Sequence, residues 1–221
     1  MFDTLLSLPL FQGLGHADLT RILESTHLRF ETLAPETQLV WQDDLCDEVL
    51  FILEGQVRSV TASADRSWSV EEQLPVPAML GQEVLYGSTR SYPSSAYAAT
   101  AVRLLCVNKR TIAALTGYFE VFRINVLNAL SAMIARQRQL QWMPAPQTLE
   151  GRIIHFMRMH IQRPAGPKSF HVSMQTLGAY LGEDSRYVSK ALHRLEQQGL
   201  LHLERRIIHV PAFENIIKET L

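Results

Sequence analysis

The chain predicts an α+β protein in two parts: an N-terminal antiparallel β-domain, then a long helix leading to a C-terminal helix-turn-helix backed by a β-hairpin. Three observations carry this prediction. Over residues 29–110, short runs of Val, Leu, Ile, Phe and Thr are divided by acidic, Pro or Gly positions, the texture of antiparallel strands. Residues 119–141, FEVFRINVLNALSAMIARQRQLQ, contain no Gly or Pro and repeat apolar side chains at helical spacing. Over residues 174–200, two apolar stripes flank Gly178 and Gly182, where two helices crossing tightly need small residues.

The clearest strand signal is DEVLFILEGQVRSV. Val49, Phe51 and Leu53 alternate with Leu50 and Ile52, and Gly55 supplies a turn before Val57, so a hairpin is expected there. Further strands are expected over residues 36–41, 67–74, 95–99 and 103–107, a spacing typical of barrels and rolls.

In the long helix, Phe122, Val126, Ala129, Met133 and Arg136 follow a three-four rhythm, with Leu127, Leu130 and Ile134 beside them. More than one side is therefore apolar. One side can pack on its own β-domain, leaving the other for a partner helix, and the expected dimerisation residues are Phe122, Val126, Leu127, Leu130, Met133, Ile134 and Gln137. A wholly intrachain helix is the alternative. A shorter helix, LEGRIIHFMRMHIQ, opens the C-terminal part, with His155 and His160 read as structural residues rather than ligands.

In MQTLGAYLGEDSRYVSKALHRLEQQGL, Leu177 and Leu181 mark one buried stripe and Gly182 can end the first helix in the left-handed conformation. Asp184 or Ser185 supplies the oxygen that caps the second helix, whose Val188, Ala191, Leu192 and Leu195 form its inner face. The outer face holds Ser185, Arg186, Ser189, Lys190 and Arg194, and Tyr187 is a further candidate contact to backbone or a thymine methyl. Such side chains donate hydrogen bonds to phosphates and base edges. After Gly199, LLHLERRIIHV reads as a hairpin with Arg205 and Arg206 at a tip placed to meet phosphate, and without Gly or Asn there its turn type stays open.

The net charge of −1 conceals a division. Up to Pro146 there are 11 Lys/Arg against 15 Asp/Glu, and from Gln147 onward 10 against 7, with six of the eight histidines also in the C-terminal part. Basic surface is thus concentrated beside the helix-turn-helix, as a polyanion partner requires. No apolar run approaches the ~20 residues of a membrane span, and the N-terminus carries Asp3 but no basic residue, so a cytoplasmic protein without a secretory signal or membrane partner is expected. The two cysteines, Cys46 and Cys106, form no C-x-x-C; buried free thiols are expected.

With these parts in this order, the chain resembles the Crp/Fnr family of bacterial transcription regulators. The resemblance rests on PLFQGL, DEVLFILEGQV, LGQEVLYG, LEGRIIHFM and LGAYLGEDSRYVSKALHRLEQQGLL, and spans nearly the whole sequence. It implies an N-terminal double-stranded β-helix, the cyclic-nucleotide-binding-like β-roll, over residues 1–116 with N-terminal helices. A dimerisation helix and hinge would follow over 117–145, and a winged helix-turn-helix over 146–221. It also implies a homodimer on a palindromic promoter site in double-stranded DNA, an effector signal from the roll, and RNA polymerase as a further partner.

The effector segment departs from the family's cyclic-nucleotide pattern. The family's Gly-Glu pair is Gly81-Gln82 here, and its phosphate-holding Arg-Ser pair falls on Tyr92 and Pro93, which cannot neutralise a phosphate. Cyclic AMP is therefore not the expected effector. Arg90-Ser91 restores the pair only with compensating insertions, which defines the alternative of a cyclic-nucleotide-responsive regulator. SYPSSAYA resembles instead the oxygen- and redox-sensing branch, and the candidate effector residues are Gln82, Glu83, Tyr86, Arg90, Ser91, Tyr92, Ser94 and Ser95. An iron–sulfur cluster needs about four thiolates and is not supported. Haem has no histidine between His27 and His155 to bind it and would need Cys46, Cys106, a methionine or an amine. The cofactor is left unknown. A cupin-like enzyme fused to a DNA-binding tail is the alternative from another class; the same histidine gap argues against it. No Gly-x-Ser-x-Gly elbow or Walker loop is present, so no catalytic residue and no metal ligand is assigned.

Overall fold

A computed structural model describes residues 2–26 and 28–219. The chain opens with α1 (Phe2–Leu6), a 3-10 turn (Pro9–Phe11) and α2 (His16–Ser25). Eight strands follow: β1 (Arg29–Leu33), β2 (Gln38–Val40), β3 (Glu48–Glu54), β4 (Val57–Ala62), β5 (Ser69–Leu74), β6 (Ala78–Leu80), β7 (Ser95–Ala98) and β8 (Val102–Asn108). Helices α3 (Lys109–Tyr118), α4 (Glu120–Gln141) and α5 (Leu149–Met159) come next, then β9 (Lys168–His171), α6 (Met174–Leu181), α7 (Ser185–Gln197), β10 (His202–Glu204), β11 (Ile207–Val210) and α8 (Phe213–Glu219). No helix among the described residues is long and apolar enough to cross a membrane.

The chain forms two compact units. One takes Met1–Val57 and Leu74–Gln141, the other Arg58–Gln73 and Trp142–Leu221. The division departs from a single cut near residue 116 or 146: the β4–β5 hairpin, early in the sequence, belongs to the C-terminal unit.

In the first unit, β1, β8, β3 and β6 form an antiparallel sheet, and β2 pairs with β7. Every residue from Val49 to Leu53 is buried, so β3 is covered on both faces, which is why its sequence is continuously apolar. Phe11 sets its ring edge-on to Phe51 at 5.7 Å and to Phe122 at 5.2 Å, joining the N-terminal turn, the sheet and α4 in one core. The hairpin expected at Gly55 does not form, because β3 pairs with β8 and β6. Gly55 is needed for another reason: at φ 93°, a Cβ there would lie 2.3 Å from the carbonyl oxygen of Ala101.

Helix α4 separates the apolar residues that its sequence mixes. Phe122 is fully buried, and Val126 and Ala129 pack against the same core; Asn125 Nδ2 donates to the carbonyls of Leu10 (3.1 Å) and Gln12 (2.8 Å). Phe122 is therefore a core residue of its own unit, which corrects its expected place in a dimer seam, while Val126 is half-buried against the same core. The exposed stripe is Ile124, Leu127 and Ile134, with Leu127 57% and Ile134 69% accessible; Gln137 is exposed and Leu130 half-buried. Ile124 was missed because it lies outside the rhythm read from Phe122.

In the second unit, β9 is flanked by β11 and β5, both antiparallel to it. The core gathers Val70 of β5 with Ile153 and Met157 of α5, Phe170, Leu177, Val188, Leu192 and Phe213. Trp68, just before β5, packs edge-on against Phe156 at 5.1 Å and His160 at 4.6 Å. Glu72 and Lys168 face each other in register across β5 and β9.

Candidate nucleic-acid interface and sensor pocket

Helix α6 is capped by Ser173, whose Oγ accepts from Thr176 N at 3.0 Å, and ends at Gly182 with φ 68°. Only Gly takes that left-handed conformation without strain. Gly178 is constrained differently, since a Cβ there would meet the Glu183 carbonyl oxygen at 2.7 Å. The turn into α7 therefore lies directly on the α6 backbone. Arg152 of α5 fixes that turn, donating to the Leu181 carbonyl at 3.3 Å and pairing with Glu183. The sequence gives no signal for Arg152, because its partners lie about thirty positions away.

Asp184 caps α7, its Oδ1 accepting from Arg186 N at 2.8 Å. The same carboxylate takes the Arg186 guanidinium from two sides, Nε at 3.0 Å and Nη2 at 3.2 Å, and these bonds hold Asp184 below the usual carboxylate range. Arg186 is thus oriented at the exposed N-terminal end of α7. Val188, Ala191, Leu192 and Leu195 are all buried, leaving Arg186, Tyr187, Lys190 and Arg194 exposed and Ser185 and Ser189 half-exposed on the other side. Arg194 is held by Glu150 of α5.

The hairpin β10–β11 follows, with His202 opposite His209 and Glu204 opposite Ile207. Glu196 of α7 ties it in place, its Oε1 accepting from Leu203 N at 2.7 Å. Its turn is made by Arg205 and Arg206, both exposed, and Arg206 takes the positive φ, 63°, that Gly or Asn usually supplies. A cavity of about 470 Å³ adjoins this turn, lined by Arg205 and Arg206 together with Ser67, His171, Ser173 and Thr176.

The eight candidate effector residues are distributed along one segment of the first unit, residues 82–95. Gly81, at φ 88°, begins the segment, and a Cβ there would meet Cys46 Sγ at 2.7 Å and the Tyr92 ring at 2.9 Å. Tyr92 is buried and donates to the Glu48 carbonyl at 3.0 Å. Gln82 reaches α4, its Nε2 3.8 Å from Met133 Sδ, while its buried Oε1 has no partner. Burial raises the Glu83 carboxyl above its ordinary range. Tyr86 is turned to Lys109, donating to its carbonyl at 3.3 Å with Nζ 5.0 Å from the ring. Arg90 is exposed, 3.7 Å from Asp47, and Ser91 bridges to Leu45. Ser94 and Ser95 are buried, with Ser95 Oγ accepting from Gln42 N at 2.9 Å.

A cavity of about 570 Å³ lies elsewhere on the roll, lined by Arg29, Glu31, Gln38, Trp41, Glu48 and Cys106 among others, and Tyr92 alone of the eight reaches it. Its lining is spread over β1, β2, β3 and β8, so no local motif announces it. Both cysteines are free and buried. Burial pushes the Cys46 thiol up and Cys106 to about 11, against the opposing charge of Arg29, the direction of an inert buried thiol rather than an activated nucleophile. No group of three or more metal-ligating side chains occurs among the described residues.

Residues 30–117 match the family model of the cyclic nucleotide-binding domain. No curated protein sequence matches the chain. Among solved structures, the catabolite activator protein of Thermus thermophilus is similar at 21% identity, covering 96% of this chain and 98% of that one with a TM-score of 0.51. The c-di-GMP-responsive global regulator CLP of Xanthomonas campestris is 14% identical over 88% of this chain and 99% of its own, TM-score 0.49. FixK2 of Bradyrhizobium japonicum is 16% identical over 87% and 97%, TM-score 0.47. The likeness to the Thermus thermophilus structure extends over nearly the whole chain and shows a shared mixed α/β fold.

Proposed function

We propose that the chain is a homodimeric, sequence-specific DNA-binding transcription regulator of the Crp/Fnr type, acting in the cytoplasm. The observation that carries this reading is α7. Its apolar face is buried, its first turn is capped by Asp184, and Ser185, Arg186, Tyr187, Ser189 and Lys190 stand on the free side, the arrangement that lets the start of a helix reach base edges in the major groove. Arg205 and Arg206 supply phosphate contacts beside it, and the Ile124–Leu127–Ile134 stripe supplies the dimer seam. RNA polymerase is the expected further partner. Titration of a fluorescent duplex tests the reading: log affinity should fall linearly with log salt, and salt-insensitive or absent binding would contradict it.

The cyclic nucleotide-binding domain senses an unidentified small effector, or serves constitutively to dimerise. Cyclic AMP is not the effector in this reading, since Tyr92 is spent on the Glu48 carbonyl and Pro93 carries no charge. The match over residues 30–117 favours a second reading, in which Arg90 and Ser91 clamp a cyclic phosphate and the unpartnered Gln82 Oε1 accepts from a hydroxyl. Calorimetry with cyclic AMP separates the two. Micromolar binding abolished by Arg90→Ala would establish the second reading; no heat with wild type is expected from the first.

A further inference from the structure

Strand topology brings three turns to one end of the C-terminal unit. Because β5 and β11 both run antiparallel to β9, they run parallel to each other, and both begin opposite His171, the last residue of β9: Ser69 on one side and Ile207 on the other. The turn that precedes β5, at the tip of the β4–β5 hairpin, and the turn that precedes β11, at Arg205 and Arg206, therefore emerge at the same end of the sheet. Helix α6 starts there too, after Ser173. The backbone locks the set, with Val172 N donating to the Arg206 carbonyl at 2.9 Å.

The resulting cavity of about 470 Å³ is walled by Ser67 of the hairpin, Arg205 and Arg206 of the wing, and His171, Ser173 and Thr176 at the start of α6. Two guanidiniums, hydroxyls and the positive end of a helix line it, and no carboxylate does. The nearby Asp65 is occupied inside the hairpin turn, accepting from Ser63 Oγ at 2.7 Å, Ser67 N at 3.1 Å and Ser67 Oγ at 2.8 Å. Arg66, exposed at φ 59°, stands beside it at the tip. Two non-glycine residues, Arg206 in the cavity wall and Arg66 next to the lining residue Ser67, thus hold left-handed backbone in the two turns at this end of the sheet. An arginine in each of two strained turns is a feature that folding alone does not favour.

We propose that the tip of the β4–β5 hairpin, through Arg66, joins Arg205 and Arg206 to seat a DNA backbone phosphate beside the groove entered by α7. The proposal rests on the DNA-binding reading and deepens it: a segment some hundred positions upstream of the helix-turn-helix belongs to its nucleic-acid interface. The contact reads no base and extends the footprint of each half-site outward.

The test uses the full-length protein and a duplex that wild type selects from random sequence. Arg66→Glu should weaken binding at least tenfold, equally on specific and non-specific DNA, and lower the salt slope by about 1 per protomer. Ser67→Lys should tighten binding severalfold and steepen the slope, which keeps the proposal open to disproof should the glutamate variant fold poorly. Arg110→Glu, the same charge change in the other unit, should leave binding unchanged. Wild-type affinity and slope in both hairpin variants, with Arg206→Ala still weakening binding, would overturn the hairpin's role and leave the DNA-binding reading standing. Absence of salt-dependent binding by wild type would overturn both.

Discussion

Lys168 Nζ lies 3.4 Å from Glu72 Oε1, with 0% and 3% of the two side chains accessible, so one ion pair is buried between β9 and the β4–β5 hairpin. Glu72 also accepts from Gln162 N at 2.8 Å and Arg163 N at 3.2 Å, and Lys168 donates to the Ala165 carbonyl at 2.7 Å. Burial holds the ammonium below the ordinary lysine range, with Glu72 opposing that shift. The satisfied geometry decides the sign of a mutation here, because removing one partner strands the other's charge.

Lys168→Ala should therefore destabilise the C-terminal unit by about 3–5 kcal/mol, while the paired apolar replacement Glu72→Leu with Lys168→Met costs less than either single change. Denaturant melts of the four proteins, combined as a double-mutant cycle, measure the coupling. Additive single effects would show that the pair is not a unit.

His160 gives the pH dependence. Its Nδ1 lies 2.7 Å from the Phe156 carbonyl and its ring packs against Trp68 and Tyr180, and burial lowers its pKa from the ordinary 6.5. Folded protein then stays neutral at His160 while unfolded chain takes up a proton, so stability is lost as pH falls from about 6.5 toward the lower folded value. The Tm of wild type should drop between pH 7.5 and 5.5 by more than that of His160→Phe. Equal drops would assign the acid sensitivity elsewhere.

On α4, the buried and exposed stripes make opposite predictions. Leu127→Asp with Ile134→Asp should yield a folded monomer by light scattering, whereas Phe122→Asp should unfold the first unit. A dimer surviving both aspartates would move the seam to another surface.

The helix-turn-helix was legible because its constraints are local: Val188, Ala191, Leu192 and Leu195 recur at helical spacing, and Gly178 and Gly182 sit where a backbone crosses and where a helix ends. Strand β9 was not legible. Its KSFH follows Pro164 and Pro167, offers a lysine where a core residue belongs, and is specified by β5 about a hundred positions earlier. The Gly55 hairpin failed for the same reason, since alternation identifies a strand but not its partner. Helix α3 escaped notice between a strand and α4, although Asn108 caps it by accepting from Thr111 N at 2.8 Å. The 570 Å³ cavity was not legible either, since its walls come from four separate strands.

Selection of binding sites from random duplex DNA tests the central claim most directly. The predicted result is a two-fold-symmetric site whose half-sites include a guanine read by Arg186. Repeating the selection with Arg186→Ala should relax one position per half-site at a cost of about 1–3 kcal/mol each. A wild-type pool that enriches no two-fold site would contradict the assignment of the chain as a dimeric, sequence-specific regulator.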